Sequence, residues 1–492
     1  MAHKKAIVIG AGVAGLAASV RLAKAGFETH VFEANPFPGG KINSKWHGAY
    51  RFDQGPSIFT GPEYVKELYD LCGENFDAFE FTPLNHSFSY FFNDGTRLEL
   101  SNRREQIISE IAQKLDENPE QLRKYLDKSA KNYNRIAPLF IEKSLHRWRK
   151  LIGKNLVAAL ARIPKYRLYT TMHEENAAFF KNPKTVQIFD RFATYNGSSP
   201  YKAPAMLNMI SHLEVNIPPF LPKNGMIQIT DSIYHLAIKQ GVNFHFNKRV
   251  DEILVVNQKA VGIRVGEQAI NADVVFSNMD VAFTYEKLLP SVEHPTKILA
   301  QERSSSAVVF YWGINRAFPE LKLHNIFFTD NYSEEFAAIF ESKTLYEDPT
   351  IYINITSKHV PEDAPEDHEN WFVMINAPIN TGQNWDTLLQ EARKILIKKL
   401  SDQLGCNIEQ YIVEEAHLDP TTIEERYAGK AGSIYGNASN NRFAAFYRHA
   451  NFSKQLKGLY FVGVSVHPGG GIPLALNSAK IAVECMQDDR KK

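Results

Sequence analysis

Cysteine is scarce in this chain: three among 492 residues, at Cys72, Cys406 and Cys485, with no CxxC spacing. That excludes a disulfide framework and a thiolate metal centre, and it fits a reducing compartment. An excess of charge is lacking too. Lys and Arg number 56 against 55 acids, a formal +1, so no global field draws in nucleic acid and no such partner is expected. No uninterrupted apolar run approaches the ~20 residues that cross a bilayer. The opening Met1-Ala2-His3-Lys4-Lys5 leads directly into a strand, and the apolar residues beyond it are broken by glycines and end at Arg21. A secretory leader is not expected from that pattern, and a cytoplasmic location is. The 16 histidines are scattered, none at HxxxH spacing, so no metal site is expected. Internal repeats, low-complexity tracts and long flexible linkers are also missing.

What is present is globular composition, 44% apolar and 23% charged, in a chain too long for one core, which predicts two or three lobes. Both ends of the chain carry a glycine-rich turn beside an apolar strand. At the start, Ala6-Ile7-Val8-Ile9 meets Gly10-Ala11-Gly12-Val13-Ala14-Gly15. The strand is continuously apolar, as a parallel strand covered on both faces must be. Ala14, Leu16, Ala17, Val20 and Leu22 then mark one helical face, and Gly26 stops the helix. In this G-x-G-x-x-G, Gly10 permits the tight turn, Gly12 lets backbone approach a pyrophosphate, and Gly15 lets helix and strand pack closely. The helix N-terminus offers unpaired N–H groups to the diphosphate. Glu33, about 20 residues on and ending the second strand Thr29–Phe32, is placed to accept ribose hydroxyls and would repel a 2′-phosphate.

Gly39-Gly40-Lys41 reads either as a surface turn or as a second backbone approach to the dinucleotide, with Lys41 a point charge near its diphosphate. Phe52-Asp53-Gln54-Gly55-Pro56-Ser57 is likewise a turn or a wall beside a flavin. At the far end, Leu459-Tyr460-Phe461-Val462 meets Gly463, and His467-Pro468-Gly469-Gly470-Gly471-Ile472-Pro473 opens the last helix. Pro473 suits a first helical turn. That helix N-terminus, aimed at the N1–C2=O edge of an isoalloxazine, would stabilise the reduced ring. A nicotinamide enzyme needs only the first motif; an extended FAD has use for both.

Between the ends, helices and short aromatic strands occupy about 61–219, with Phe88, Tyr90 and Phe92 on one strand face. The chain returns near Gly225 to strands at 242–246, 250–256, 260–265 and 272–276. It departs again over 283–416, where 307–314 and 371–376 read as strands. The lobes are thus expected to be interleaved.

Together, Gly10 to Gly15, Glu33, Gly39-Gly40-Lys41, Phe52 to Pro56, Ser277-Asn278-Met279-Asp280, Tyr285 to Leu289, Gly432-Ser433-Ile434-Tyr435-Gly436 and Gly463 to Pro473 resemble the bacterial phytoene-desaturase-type carotenoid desaturases. These are FAD enzymes similar in fold to the amine oxidases. The resemblance spans nearly the whole chain, and HPGGGIP is its most specific part. It departs at Asn224-Gly225-Met226, in place of a double glycine, and at Val464-Ser465-Val466, where Thr is common. Phe192-Ala193-Thr194-Tyr195-Asn196-Gly197-Ser198-Ser199-Pro200-Tyr201 with Pro204-Ala205 resembles the hydroxycarotenoid 3,4-desaturase branch, which acts on 1-hydroxylated ends, monocyclic γ-carotene types included.

The resemblance implies an α/β fold: an FAD-binding, Rossmann-like domain from 1–80, 220–282 and 417–492, interleaved with a substrate domain of mixed sheet and helices from 81–219 and 283–416. It places FAD against Gly10, Gly12, Val13, Ala14, Gly15, Glu33, Ala34, Gly40, Lys41, Gly55, Pro56, Ser57, Val250, Asn278, Leu288, Gly463, Gly470, Gly471, Ile472 and Pro473, with Val250 the backbone partner of adenine. The implied activity is desaturation, with hydride lost to flavin and a proton lost from the neighbouring carbon. His467 is the motif-bound candidate for a catalytic or hydroxyl-binding side chain, although a histidine in a Gly-Pro turn more often serves a structural hydrogen bond. Phe88, Tyr90, Phe91, Phe92, Phe179, Phe180, Phe189, Phe192 and Tyr195 line a tunnel or pack as core, core being the commoner fate.

A carotenoid substrate resides in bilayers. Leu145, Trp148, Leu151, Ile152, Leu156 and Leu160 form one helical face, with His146, Arg147, Arg149, Lys150 and Lys154 on the rest. This is the pattern of an interfacial helix on the inner membrane face, or equally of a solvated surface helix. Competing readings are a phytoene- or neurosporene-type desaturase, an amine oxidase, and a non-redox lipid carrier on the same fold, as the Rab GDP-dissociation inhibitors are.

Overall fold

The computed structural model describes residues 4–147 and 169–491. Its first sheet is five-stranded and wholly parallel, in the spatial order Leu459–Phe461, Val274–Ser277, Lys4–Ile9, Phe27–Phe32 and Asn243–His245. Burial explains the continuous apolar run of the central strand. Ala6 and Val8 face Leu16 and Val20 of helix Val13–Lys24, while Ile7 and Ile9 face Val250, Ile253 and Ile263 on the opposite side. From the central strand the chain steps first to one side, at Phe27–Phe32, and later to the other, at Val274–Ser277. The reversal leaves a crevice at the carboxyl end of Lys4–Ile9, where ligands of open parallel sheets bind.

The second sheet has seven strands, ordered Ile412–Leu418, Ser306–Ile314, Glu369–Ala377, Ile351–Ile355, His324–Phe327, His86–Phe91 and Arg97–Ser101. All neighbours are antiparallel except His324–Phe327 with His86–Phe91. Period-two alternation divides its side chains. Val308, Phe310 and Trp312 pack on Leu389, Leu396 and Leu400 of helix Trp385–Leu404. Ala307, Val309 and Tyr311 share the other face with Phe88, Tyr90 and Phe92, as the alternation of those aromatics predicts, while Phe91 points to the helix side. Helices Arg104–Leu115, Pro119–Ile136 and Pro183–Asp190 close over this second face.

Two expectations differ from the structure. The strand expected from Val250 begins instead at Glu252, the first residue paired across to Arg264; Val250 precedes it, buried under the first sheet. The interfacial helix expected over 145–160 lies outside the described residues beyond Arg147. Arg147 itself turns inward: its Nη2 donates to both Asp489 carboxylate oxygens at 2.7 Å, and its guanidinium lies 4.0 Å from the Phe452 ring centroid. Among the described residues no helix is long and apolar enough to cross a membrane.

Candidate functional site

The glycine turns from the two ends of the chain meet at one side chain. Asn278 follows strand Val274–Ser277, its N–H donating to Ile9 O at 2.8 Å and its Nδ2 to Gly10 O at 3.4 Å. A Cβ on Gly12 would stand 2.8 Å from Asn278 Nδ2, and one on Gly463 2.8 Å from Asn278 Oδ1. Gly39-Gly40 docks on the same turn, with Gly39 N–H donating to Ala11 O at 2.9 Å and a Cβ on Gly40 falling 3.2 Å from Gly12 Cα. The packing role read for Gly15 is plain: its Cβ would fall 2.0 Å from Gly10 O.

Two helices begin at this junction, Val13–Lys24 behind Gly12 and Ile472–Asp489 behind Gly471, and neither has a side-chain cap. Both N-termini open into one cavity of about 460 Å³. Uncapped N–H groups and a partial positive charge at two points suit a ligand bearing anionic or electron-rich groups some way apart. Glu33 is buried on the same wall; Oε2 accepts from Ala11 N–H (2.7 Å) and Oε1 from Asn35 N–H and Nδ2 (2.8 and 2.9 Å). A carboxylate has about four acceptor positions, so one remains for a ligand hydroxyl.

Further along, the cavity wall turns apolar: Phe88, Val309, Ile326, Phe372, Met374 and Leu418. Polar groups interrupt it at few places. Lys41 Nζ donates to Ile434 O at 2.6 Å; burial pushes this amine down to about 8, against the pull of Asp280 and with the push of Arg303. Asp280 is held by Arg303 Nη2 at 2.5 Å, and Arg303 Nη1 reaches Asn437 at 3.0 Å. Ser57 Oγ meets Tyr352 Oη at 2.7 Å, and Tyr352 Oη meets His324 Nδ1 at 2.7 Å, with His324 pushed down to about 3 by burial. Arg191 also faces the cavity, backed by Glu214.

Comparison with known proteins agrees with this architecture along the whole chain. The flavin containing amine oxidoreductase family matches residues 13–487. This chain belongs to that family. It is therefore a flavin-dependent oxidoreductase. A 1-hydroxycarotenoid 3,4-desaturase of Flavobacterium sp. (strain P99-3) is 47% identical over 481 residues, 98% of each chain. A 4,4'-diapolycopene oxygenase of Methylomonas sp is 30% identical, with 97% of each chain covered. Among solved structures, cyclohexylamine oxidase from Brevibacterium oxydans IH-35A superposes with a TM-score of 0.62 at 15% identity, all of each chain covered. Putrescine oxidase bound to putrescine gives 0.64 at 14% identity. At such identities the likeness speaks for the fold.

Of the residues expected around the flavin, Gly10, Gly12, Val13, Ala14, Glu33, Ala34, Gly40, Lys41, Gly55, Pro56, Ser57, Val250, Asn278, Leu288, Gly463, Gly471, Ile472 and Pro473 line the cavity. Gly15 and Gly470 do not. Gly15 serves packing, and a Cβ on Gly470 would strike the Tyr435 ring at 2.4 Å. His467 is not brought to the cavity either. Its Nε2 hydrogen-bonds Lys143 O at 2.8 Å and burial lowers it to about 4, so the ring is a neutral donor to a carbonyl, the structural role. Phe88 and Tyr195 reach the cavity; Tyr90, Phe91, Phe92, Phe180, Phe189 and Phe192 are core. Sequence reasoning missed Arg191, Glu214 and Arg303. Arg191 adjoins the Phe192–Tyr201 segment, a signal that was within reach; Arg303 sits in no motif. Among the described residues no three His, Cys, Asp or Glu side chains cluster as metal ligands.

Proposed function

We propose that this chain is an FAD-dependent carotenoid desaturase that introduces the C3–C4 double bond into a 1-hydroxylated or monocyclic γ-carotene-type carotenoid. The observation that carries the reading is continuity: one cavity runs from the two glycine turns to an apolar wall, in a chain 47% identical to a desaturase of that kind. The first helix N-terminus and Gly10–Ala14 would hold the diphosphate, Glu33 the adenosine ribose and Val250 the adenine. Gly471, Ile472 and Pro473 would face the ring edge. Bound FAD would supply the hydride acceptor. The apolar wall holds the polyene in place and keeps water out, and Asp280 stays ion-paired to Arg303 at the cavity's polar end.

The test is incubation of FAD-loaded protein with phytoene, neurosporene and 1-hydroxylated γ-carotene, followed by absorption spectra of the products. A red shift confined to the hydroxylated substrate is expected. Conversion of phytoene would transfer the chain to the phytoene-type branch, and no conversion of any polyene would defeat the desaturase reading.

A further inference from the structure

Arg191 sets a guanidinium, 5% exposed, into the cavity wall beside the rings of Phe88 and Tyr195. Its Nη2 donates to Tyr90 Oη at 2.9 Å and to the Glu214 carboxylate, and Tyr195 Oη donates to the other Glu214 oxygen. The guanidinium carbon stands 4.5 Å from the Phe88 ring centroid and 4.7 Å from that of Phe192, so two aromatic rings fix its plane. Its Nε is enclosed and has no hydrogen-bond partner among the described residues, so the donors of this guanidinium are not all met inside the protein. Burying an ion pair is costly, and apolar side chains of similar volume are often as stable. Stability therefore gives little reason to place this pair beside a hydrocarbon-lined space. A planar fork of donors, rigidly held and incompletely used, suits recognition of an oxygen.

We propose that Arg191 reads the terminal hydroxyl of the substrate, donating to its oxygen, with Glu214 and Tyr195 as positioning residues that hold the guanidinium in plane. This rests on the carotenoid reading above and adds how the site tells an oxygenated end from a hydrocarbon one. When a polyene displaces water from the cavity, a hydrocarbon end leaves the Arg191 donor unmet, whereas a hydroxyl replaces the water it lost. Hydrogen bonds to charged groups favour the hydroxylated ligand by about ten- to a hundredfold.

Dissociation constants for γ-carotene and its 1-hydroxylated form, in the same detergent micelles, are read from quenching of tryptophan fluorescence in the flavin-loaded protein. Wild type should prefer the hydroxylated ligand at least tenfold. Arg191→Met/Glu214→Leu removes both charges together, and its preference should fall below about threefold. Arg191→Lys keeps a cation for Glu214 but loses the fork, and should lose about tenfold of the preference; it carries the comparison if the double variant fails to retain flavin. Full preference in either folded variant overturns the proposal. A wild type that binds and desaturates both ligands alike also overturns it while leaving the desaturase reading intact. A wild type that neither binds nor converts them removes both.

Discussion

Gly15 and Gly471 need glycine for different reasons, and their alanine variants separate the two. At Gly15 a methyl would sit 2.0 Å from a backbone carbonyl, so helix and strand must part, at about 3 kcal/mol. Gly15→Ala should lower the unfolding midpoint and lose flavin together. At Gly471 a methyl meets no protein atom within 4 Å, but φ is +103°, a backbone region close to glycine-only that costs about 1–3 kcal/mol. The methyl would also enter the cavity. Gly471→Ala should therefore retain a cooperative unfolding transition and purify with flavin absorbance reduced at least tenfold; full flavin content would refute this placement. The turns were legible because close backbone approach demands glycine at set intervals. Arg191 was not: its partners Glu214 and Tyr90 lie 23 and 101 residues away in the chain, and no spacing rule joins them. His467 shows the converse, since adjacency to a motif does not dictate where a ring points.

Buried histidines set an acid limit. His449 and His467 are each lowered to about 4 by burial from an ordinary 6.5. Between these values the unfolded chain binds protons that the folded one does not, so each ring stabilises the fold fully above pH 6.5 and loses that contribution as pH falls towards 4. Glu335, raised by burial to about 7 from 4.5, acts with the opposite sign across 4.5–7. The comparison must accordingly be between variants. His467→Gln should flatten the slope of unfolding free energy between pH 6.5 and 5 by up to ~1.4 kcal/mol per pH unit. Urea titrations at the two pH values measure it, and parallel slopes would contradict a neutral His467.

At the scale of elements, the two helices whose N-termini open on the cavity also pack on each other. Ala14, Ala17 and Ala18 of the first, and Ala475, Ala479 and Ala482 of the last, are all buried in one cluster. Small side chains let the axes approach, which sets the separation of the two N-termini. Ala479→Leu should cost about 1–3 kcal/mol by overpacking and weaken flavin retention although residue 479 is not on the cavity wall. Unchanged flavin affinity with lowered stability would uncouple packing from site geometry. Parallel strands were readable as unbroken apolar runs, and the sheet behind the apolar wall as alternation at Phe88, Tyr90 and Phe92. Strand onset was less so: Val250 has a strand-like side chain, but ladder pairing begins only where Arg264 lies opposite Glu252, a tertiary fact.

For the whole molecule, interleaved lobes are an expectation from the return of parallel-strand patterns near Gly225 and again at Leu459; the five-stranded sheet draws on residues 4–32, 243–277 and 459–461. Membrane contact over 145–160 is an expectation from sequence pattern alone. Arg147 is engaged with Asp489, so the test of that pattern is placed on Arg149 and Lys150. Arg149→Gln/Lys150→Gln is expected to weaken binding to anionic liposomes by about thirtyfold, at ~1 kcal/mol per cation near the surface, and flotation equal to wild type would dismiss membrane contact through this segment.

That five-stranded sheet has a consequence for biosynthesis. Strand Leu459–Phe461 and the helix opening at Ile472 leave the ribosome after every other part of the cradle. Until they emerge, one wall and one of the two positive poles are missing, and the nascent polypeptide has no completed pocket to close. Flavin capture is thereby deferred until this segment has emerged, leaving cofactor supply and chaperone protection to act on a chain whose other four parallel strands are already made.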